Sequence, residues 1–228
     1  MAAESSTTVD RSIRLLFELA QHPDGLTVSE LARRLDTQRP PLYRQLRSLM
    51  EARLVRRTEN KLYQLGVGVL ELARAFADPF TERARPALQQ AADATGHSAM
   101  LNFAEGDALV LALSATPRAA GMHLSTPVGF VYPEGPIAPR VAMLAARPPA
   151  PDEDEVVTAT RARGYIGTFT LPTHTGIVGV AVPLEMRGMH GSIALVTGMG
   201  PGPQSEADEA RLAEHATAAA RQILDSGL

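Results

Sequence analysis

Three observations on the 228-residue sequence predict an α+β fold in two parts. Two short helical patterns separated by a tight turn lead into two β-like runs. An apolar helical stretch then ends at Asp78-Pro79. Beyond it, strand-like runs pair as hairpins, with helices between them and at both ends. The expected architecture is a winged helix-turn-helix domain with a linker helix over 1–78. A sensor-like domain over 79–228 follows, its antiparallel sheet faced by helices.

The helix-turn-helix is read from apolar spacing. Leu42, Leu46, Leu49 and Met50 fall at i, i+4, i+7 and i+8, one stripe at 3.6 residues per turn, which leaves Tyr43, Arg44 and Arg47 together on the opposite face. Upstream, Thr27-Val28-Ser29-Glu30 has the form of a capping box. Val28, Leu31, Ala32 and Leu35 make the buried side of the short helix it starts, and Asp36-Thr37 supplies the turn. A helix before these is expected to brace them, with Val9, Ile13, Leu16, Phe17 and Ala20 inward, stopping at Pro23-Asp24-Gly25.

After the second helix, 54–57 and 61–65 read as two strands around Thr58-Glu59-Asn60, a hairpin wing. From Arg33 to Lys61 there are nine Arg/Lys against three Asp/Glu, a basic footprint on a chain of net charge −3. Residues 1–76 carry twelve basic and nine acidic side chains, and the remainder ten and sixteen, so a nucleic-acid surface is expected only in the first part. The expected DNA contacts are Gln38, Arg39, Tyr43, Arg44 and Arg47 on the recognition helix and Arg56, Arg57 and Lys61 on the wing. Winged helices also serve as protein-interaction modules, and exposed arginines are often only a solvated face.

The absence of cysteine excludes disulfides, thiolate metal sites and a cysteine nucleophile. The N-terminal residues lack the pattern of a secretion signal and no run is long enough to span a membrane, so a cytoplasmic protein without membrane contact is expected. There is no GxSxG, Walker, HExxH or GxGxxG pattern in the right setting, and the six histidines lack ligand spacing. No catalytic residue, metal or cofactor is expected, and the chain does not read as an enzyme.

Residues 66–76 read as a helix broken by Asp78-Pro79. Its apolar side chains Val69, Leu70, Leu72, Ala73 and Phe76 cover more than one face, which a second copy of the chain would bury. The second domain opens with a helix over 80–94, Ala84, Leu88 and Ala91 inward, closing at Thr95-Gly96. Hairpins follow at 98–104 with 108–115 and at 177–184 with 191–197. Between them lie helices near 139–146 and 156–163, and a last helix capped at Ser205 carries Leu212, Ala216, Ala219, Ile223 and Leu224 inward.

In this order of parts the chain resembles the IclR family of bacterial transcriptional regulators over nearly its whole length. The resemblance is carried by Thr8-Val9-Asp10-Arg11-Ser12-Ile13, Gly25-Leu26-Thr27-Val28-Ser29-Glu30-Leu31-Ala32, Tyr63-Gln64-Leu65-Gly66, Arg163-Gly164-Tyr165 and Gly179-Val180-Ala181-Val182-Pro183-Leu184. It implies a DNA-binding winged helix, a linking helix and a domain that binds a small effector, assembled as a homodimer or dimer of dimers. By position it implies effector contacts near Thr170, Gly179, Leu195 and Thr197, with Met143 on the facing helix; Arg140, at the start of that helix, offers a charge for an acidic ligand, with solvent or the pocket entrance as its alternative place. The chain departs from the family where Arg39-Pro40-Pro41 replaces Lys-Ser-Thr, where Arg140 and Val141 replace a glycine and a lysine, and in a shorter connection over 148–163.

The expected function is therefore a transcriptional regulator, a repressor, that binds a pseudo-palindromic double-stranded operator and is modulated by a small molecule. One alternative is a DNA-binding protein whose second domain serves only assembly; another is an enzyme fused to a winged helix.

Overall fold

In the computed structural model the described residues are 7–119, 123–167, 177–186, 188–197 and 205–225, with backbone alone for 7 and 77–82. The chain divides into two compact units, Met1–Phe76 and Ala77–Leu228.

The first unit contains α1 (Thr7–Ala20), α2 (Val28–Arg34), α3 (Arg39–Glu51), β1 (Val55–Arg57) and β2 (Tyr63–Leu65). Leu15 and Leu19 from α1, Leu31 and Ala32 from α2, Leu42 and Leu46 from α3, and Val55 and Tyr63 from the hairpin form one core. The expected inward face of α1 is corrected here. Val9, Ile13 and Phe17 are 54, 47 and 66% exposed, Ala20 is exposed and Leu16 is half-buried, while Leu15 and Leu19 turn inward. Both sets repeat at i, i+4 and satisfy the same helical period, so periodicity alone could not choose between them.

The capping box forms as expected. Thr27 Oγ1 accepts from Glu30 N at 3.3 Å, and Glu30 Oε2 accepts from Thr27 Oγ1 at 2.7 Å and from Thr27 N at 2.8 Å; the hydroxyl bond first and the backbone bond second lower the Glu30 pKa. Gly66 follows the wing because the end of α3 leaves no room for a side chain. A Cβ there would lie 2.1 Å from the Arg53 carbonyl oxygen, and Gly66 N donates to Leu54 O at 2.8 Å.

A further correction concerns α4 (Gly68–Thr95), one helix of 28 residues where a break at Asp78-Pro79 was expected. An interior proline forfeits one N–H donor and crowds the carbonyl four residues back, a cost of about 3 kcal/mol that can kink a helix rather than end it. Ala, Leu, Glu and Arg on both sides of Pro79 favour continuation, and Pro86 is carried in the same way. Residues 70–76 of this helix are exposed all round.

The second unit holds β3 (Ser98–Glu105), β4 (Ala108–Ala115), α5 (Ala138–Ala146), α6 (Glu155–Arg163), β5 (Ile166–Gly167), β6 (Val178–Met186), β7 (Met189–Thr197) and α7 (Glu206–Asp225). The two hairpins join through β3 and β7 into one antiparallel sheet of order β4-β3-β7-β6-β5. On one face Leu101, Val180, Val182, Ile193 and Leu195 pack against Ala84, Leu88 and Ala91 of α4 and Leu212, Ala216 and Ile223 of α7. On the other, Met100, Leu111, Ala181, Ala194 and Val196 pack against Ala138, Val141, Ala142 and Ala145 of α5 and Val157 of α6. Leu224, expected inward, is 42% exposed, and Glu209 is buried in its helix instead, against Gly167 of the unforeseen β5.

The short connection into α6 is held by one guanidinium. Arg161 donates to both carboxylate oxygens of Glu153 and to the carbonyls of Leu144, Ala145 and Arg147, satisfying the C-terminal end of α5. Those hydrogen bonds from Arg161 hold the Glu153 carboxyl down to about 2.

Candidate nucleic-acid interface and effector face

The outward side of α3 is set by its inward one. With Leu42, Gln45 and Leu46 buried, the residues left outside are Arg39, Tyr43 and Arg47 at i, i+4 and i+8, and Pro40, Arg44 and Ser48 one position on. Tyr43 is 48% exposed. Arg47 Nε donates to Glu51 Oε1 at 3.1 Å, with both side chains largely exposed. Such a pair contributes only about 0.3–0.5 kcal/mol, so a base or phosphate could displace the carboxylate. Arg44 has no carboxylate partner among the described residues.

The wing is a two-stranded ribbon in the register Val55↔Leu65 and Arg57↔Tyr63. Leu26, just ahead of α2, pairs with Tyr63 by two backbone hydrogen bonds of 3.0 and 2.8 Å, tying the ribbon to the helix-turn-helix. Arg57 lies over the Tyr63 ring at 5.6 Å. Thr58 Oγ1 accepts from Leu62 N at 3.1 Å and Lys61 takes a left-handed φ of 63°, which folds the tip. Arg56, Arg57 and Lys61 are exposed on this ribbon, and Gln38, the N-cap of α3, is exposed without a side-chain cap bond. All eight expected DNA-contact residues therefore lie on the exposed surface of the first unit.

The residues expected around an effector do not come together in this way. Arg140, at the start of α5, donates to the carbonyls of Asp107 (2.7 Å), Tyr132 (3.3 Å) and Pro133 (3.1 Å), so its charge is spent on bracing two loops. Met143 is fully buried on α5, outside the stripe that packs on the sheet. Gly179 pairs with Val196 on the α5 side, where a Cβ would lie 2.0 Å from the Leu195 carbonyl oxygen. Close packing of β6 on β7 therefore accounts for this glycine without a ligand. Leu195 packs among the α4 and α7 residues on the opposite face, and strand alternation puts Thr197 on that side too. This corrects the expectation that both share a pocket with Met143: residues two apart on a strand keep together, but they point away from α5. Thr170 lies outside the described residues.

On the α5 side, sequence reading passed over a polar pair. Asn102 and Ser192, both fully buried, face each other across β3 and β7, with Asn102 Nδ2 3.3 Å from Ser192 Oγ and Asn102 Oδ1 lacking a hydrogen-bond partner among the described residues. Nothing in a strand pattern read as apolar signals such a pair. Near it, burial of the Tyr132 phenol, whose hydroxyl is 3.6 Å from Met100 Sδ, pushes its pKa up to about 12.

Residues 8–59, the span that supplies this helix-turn-helix, match the model of the IclR helix-turn-helix domain. The match assigns residues 8–59 to the IclR helix-turn-helix domain. Solved structures agree on the fold from end to end. An IclR transcriptional regulator from Alicyclobacillus acidocaldarius is 23% identical with a TM-score of 0.79, covering 98% of this chain and 100% of its own. An IclR family transcriptional regulator from Brucella abortus is 19% identical with a TM-score of 0.76, covering 100% and 96%. An IclR homolog from Microbacterium hydrocarbonoxydans, complexed with 4-hydroxybenzoate, is 16% identical with a TM-score of 0.72, covering 96% and 100%. A comparison with curated proteins gives no match.

The first unit thus carries a helix-turn-helix of the IclR type, and the chain shares its fold with solved IclR-family regulators. Among the described residues no group of His, Asp or Glu has metal-binding geometry, and no helix is long and apolar enough to cross a membrane. Arg11 and Arg33, absent from the expected DNA contacts, open onto the turn between α2 and α3. Arg11 precedes Leu15 and Leu19 at i, i+4 and i+8, a signal hidden by choosing the other stripe of α1.

Proposed function

We propose that this chain is an IclR-family transcriptional regulator, a repressor that binds a pseudo-palindromic operator as a homodimer or dimer of dimers, with Tyr43, Arg44 and Arg47 at base edges and Arg56, Arg57 and Lys61 on the backbone or minor groove. The observation that supports it is the separation on α3 of an apolar face from one bearing Arg39, Tyr43, Arg44 and Arg47, beside a basic ribbon. Dimerisation is supported by apolar surface that the lone chain leaves uncovered: Val9, Ile13 and Phe17 along α1, and Leu70, Leu72 and Phe76 on α4. The two-domain limits of 1–78 and 79–228 belong to the same proposal.

The second domain is proposed to bind a small organic effector on the α5 side of the sheet. Its support is a fold shared with a homolog complexed with 4-hydroxybenzoate, and a buried polar pair, Asn102 with Ser192, within a largely apolar face. A domain devoted to assembly alone is favoured by one feature, the commitment of Arg140 to three carbonyls.

Gel shifts with the DNA flanking the chain's own gene test the first reading, with 4-hydroxybenzoate and related aromatic acids added to test the second. Expected are a discrete shift protected over two half-sites, and a change in DNA affinity with one of the acids, since a ligand with equal affinity for both states moves nothing. Absence of any specific complex would refute the operator reading. Specific binding that no acid alters would leave assembly as the role of the second domain.

A further inference from the structure

The first turn of α3 is poorly equipped to hold a phosphate by its backbone. A helix start offers unpaired N–H groups that suit an anion. Here Pro40 and Pro41 occupy that turn, so two of those donors do not exist. The N-cap Gln38 adds no side-chain bond to order the rest.

Beside this deficit lies a surface cavity of about 920 Å³ into which Arg11, Arg33 and Arg39 open, together with Thr37, Gln38 and Asp36. The three arginines come from three helices. Arg11 stands one turn before Leu15 on the inward side of α1, Arg33 is in the last turn of α2, and Arg39 is the first residue of α3. Among the described residues none of the three pairs with a carboxylate, although Arg34, Arg47 and Arg53 of the same unit pair with Glu18, Glu51 and Glu71. Asp36 leaves this lining at three positive charges against one negative. Guanidinium groups gathered around one concavity repel one another until an anion joins them, and a guanidinium matches phosphate oxygens with two parallel N–H donors. The cavity is at the start of the helix expected in the major groove, on the side where a helix-turn-helix crosses the sugar-phosphate backbone.

We propose that Arg11, Arg33 and Arg39 form a phosphate clamp that takes over, with side chains, the backbone grip that Pro40 and Pro41 remove from the recognition helix. The proposal rests on the DNA-binding reading above and adds α1 to the interface. The clamp sets affinity and register without reading bases, so its effect is the same on any sequence.

The test uses the full-length chain and a random-sequence duplex of about 30 base pairs, with affinity followed by fluorescence anisotropy between about 50 and 200 mM salt. Each of Arg11→Gln, Arg33→Gln and Arg39→Gln should lower the magnitude of the salt slope by about 0.9 per DNA-bound subunit, so that a dimer's fall in affinity over this range is roughly tenfold smaller. Arg11→Lys should restore most of the slope, and Arg34→Gln should leave it at the wild-type value. Thermal melts accompany each variant because Arg11 is half-buried; a slope lost in Arg11→Gln and regained in Arg11→Lys at matched stability supports the clamp. Wild-type slopes in both Arg11→Gln and Arg33→Gln would overturn it while DNA binding stands. Failure of the wild-type chain to bind any duplex would overturn the DNA-binding reading and the clamp together.

Discussion

In the N-terminal unit, arginines and apolar stripes stand exposed: Arg44 and Arg56 lack carboxylate partners among the described residues, and Phe17, Leu70 and Phe76 are each more than half exposed. In the C-terminal unit both faces of the sheet are covered by helices of the same chain, and Arg140 and Arg161 are spent on carbonyls and a carboxylate. The difference teaches where partners belong. Charge and apolar area left uncovered in the first unit are suited to DNA and a second copy, while the second unit covers both faces of its sheet, keeps the polar pair Asn102 and Ser192 within, and leaves apolar area exposed chiefly at Val128 and Val131.

The largest expected effect would break this comparison most completely. Leu46, 1% exposed in the first core, and Leu101, wholly buried in the second, belong to separate clusters. Leu46→Ala should cost about 2–5 kcal/mol and fall on the melting of the first unit, and Leu101→Ala should do the same to the second. Calorimetry of the two variants reads this directly. Identical changes in a single shared transition would mean that the units do not unfold separately.

Next in size is Arg44→Ala or Arg47→Ala, each expected to weaken operator binding by about 1–3 kcal/mol if the guanidinium pairs with a guanine. Binding to random duplex should fall much less. Equal losses on both DNAs would assign the residue to phosphate, and the exposed face of α3 would then be less of a reading surface than its geometry suggests. Arg56→Ala and Lys61→Ala on the wing should act the other way, reducing the salt slope by roughly 2 for a dimer with little change in sequence preference. An unchanged slope would remove that residue from the DNA.

The smallest effect concerns the C-terminal unit alone. Because the Glu153 carboxyl is held at about 2, below its ordinary 4.5, its contribution to stability is full above pH 4.5 and is lost as pH falls from there toward 2. Glu153→Gln should therefore be less stable near neutral pH and show a flatter acid dependence over that window. The first unit's melting should not respond. A variant as acid-sensitive as the wild type would show that Arg161 and Glu153 do not hold the loop before α6 in solution.

Which of these surfaces could be read beforehand follows from how local their causes are. The capping box at Thr27 and Glu30, the α3 stripe and the hairpins at Gly106 and Gly188 depend on neighbours within a few residues, and they stand as the sequence implied. The first helix was misjudged because Val9-Ile13-Phe17 and Arg11-Leu15-Leu19 share one period, and only packing on α3 and β2 selects between them. The run of α4 through Pro79 is a balance between one lost hydrogen bond and many retained ones, which a rule about proline does not weigh. On the effector side, Leu195 and Thr197 went to the wrong face because the pairing of β7 with both β3 and β6 decides which side meets α5. Arg39 was among the expected contacts, but Arg11 and Arg33 escaped notice because they are separated from it in sequence and meet it only when three helices close on one another.

On the proposed function, the first unit reads a two-fold operator through α3. Selection of binding sites from a pool of random duplexes by the full-length chain tests it most directly. An inverted repeat whose half-site centres are about 34–36 Å apart, or a multiple of that distance, should be enriched, with enrichment lost in Arg44→Ala. A pool that shows no common sequence after repeated rounds, from a chain that is folded and binds DNA, would contradict it.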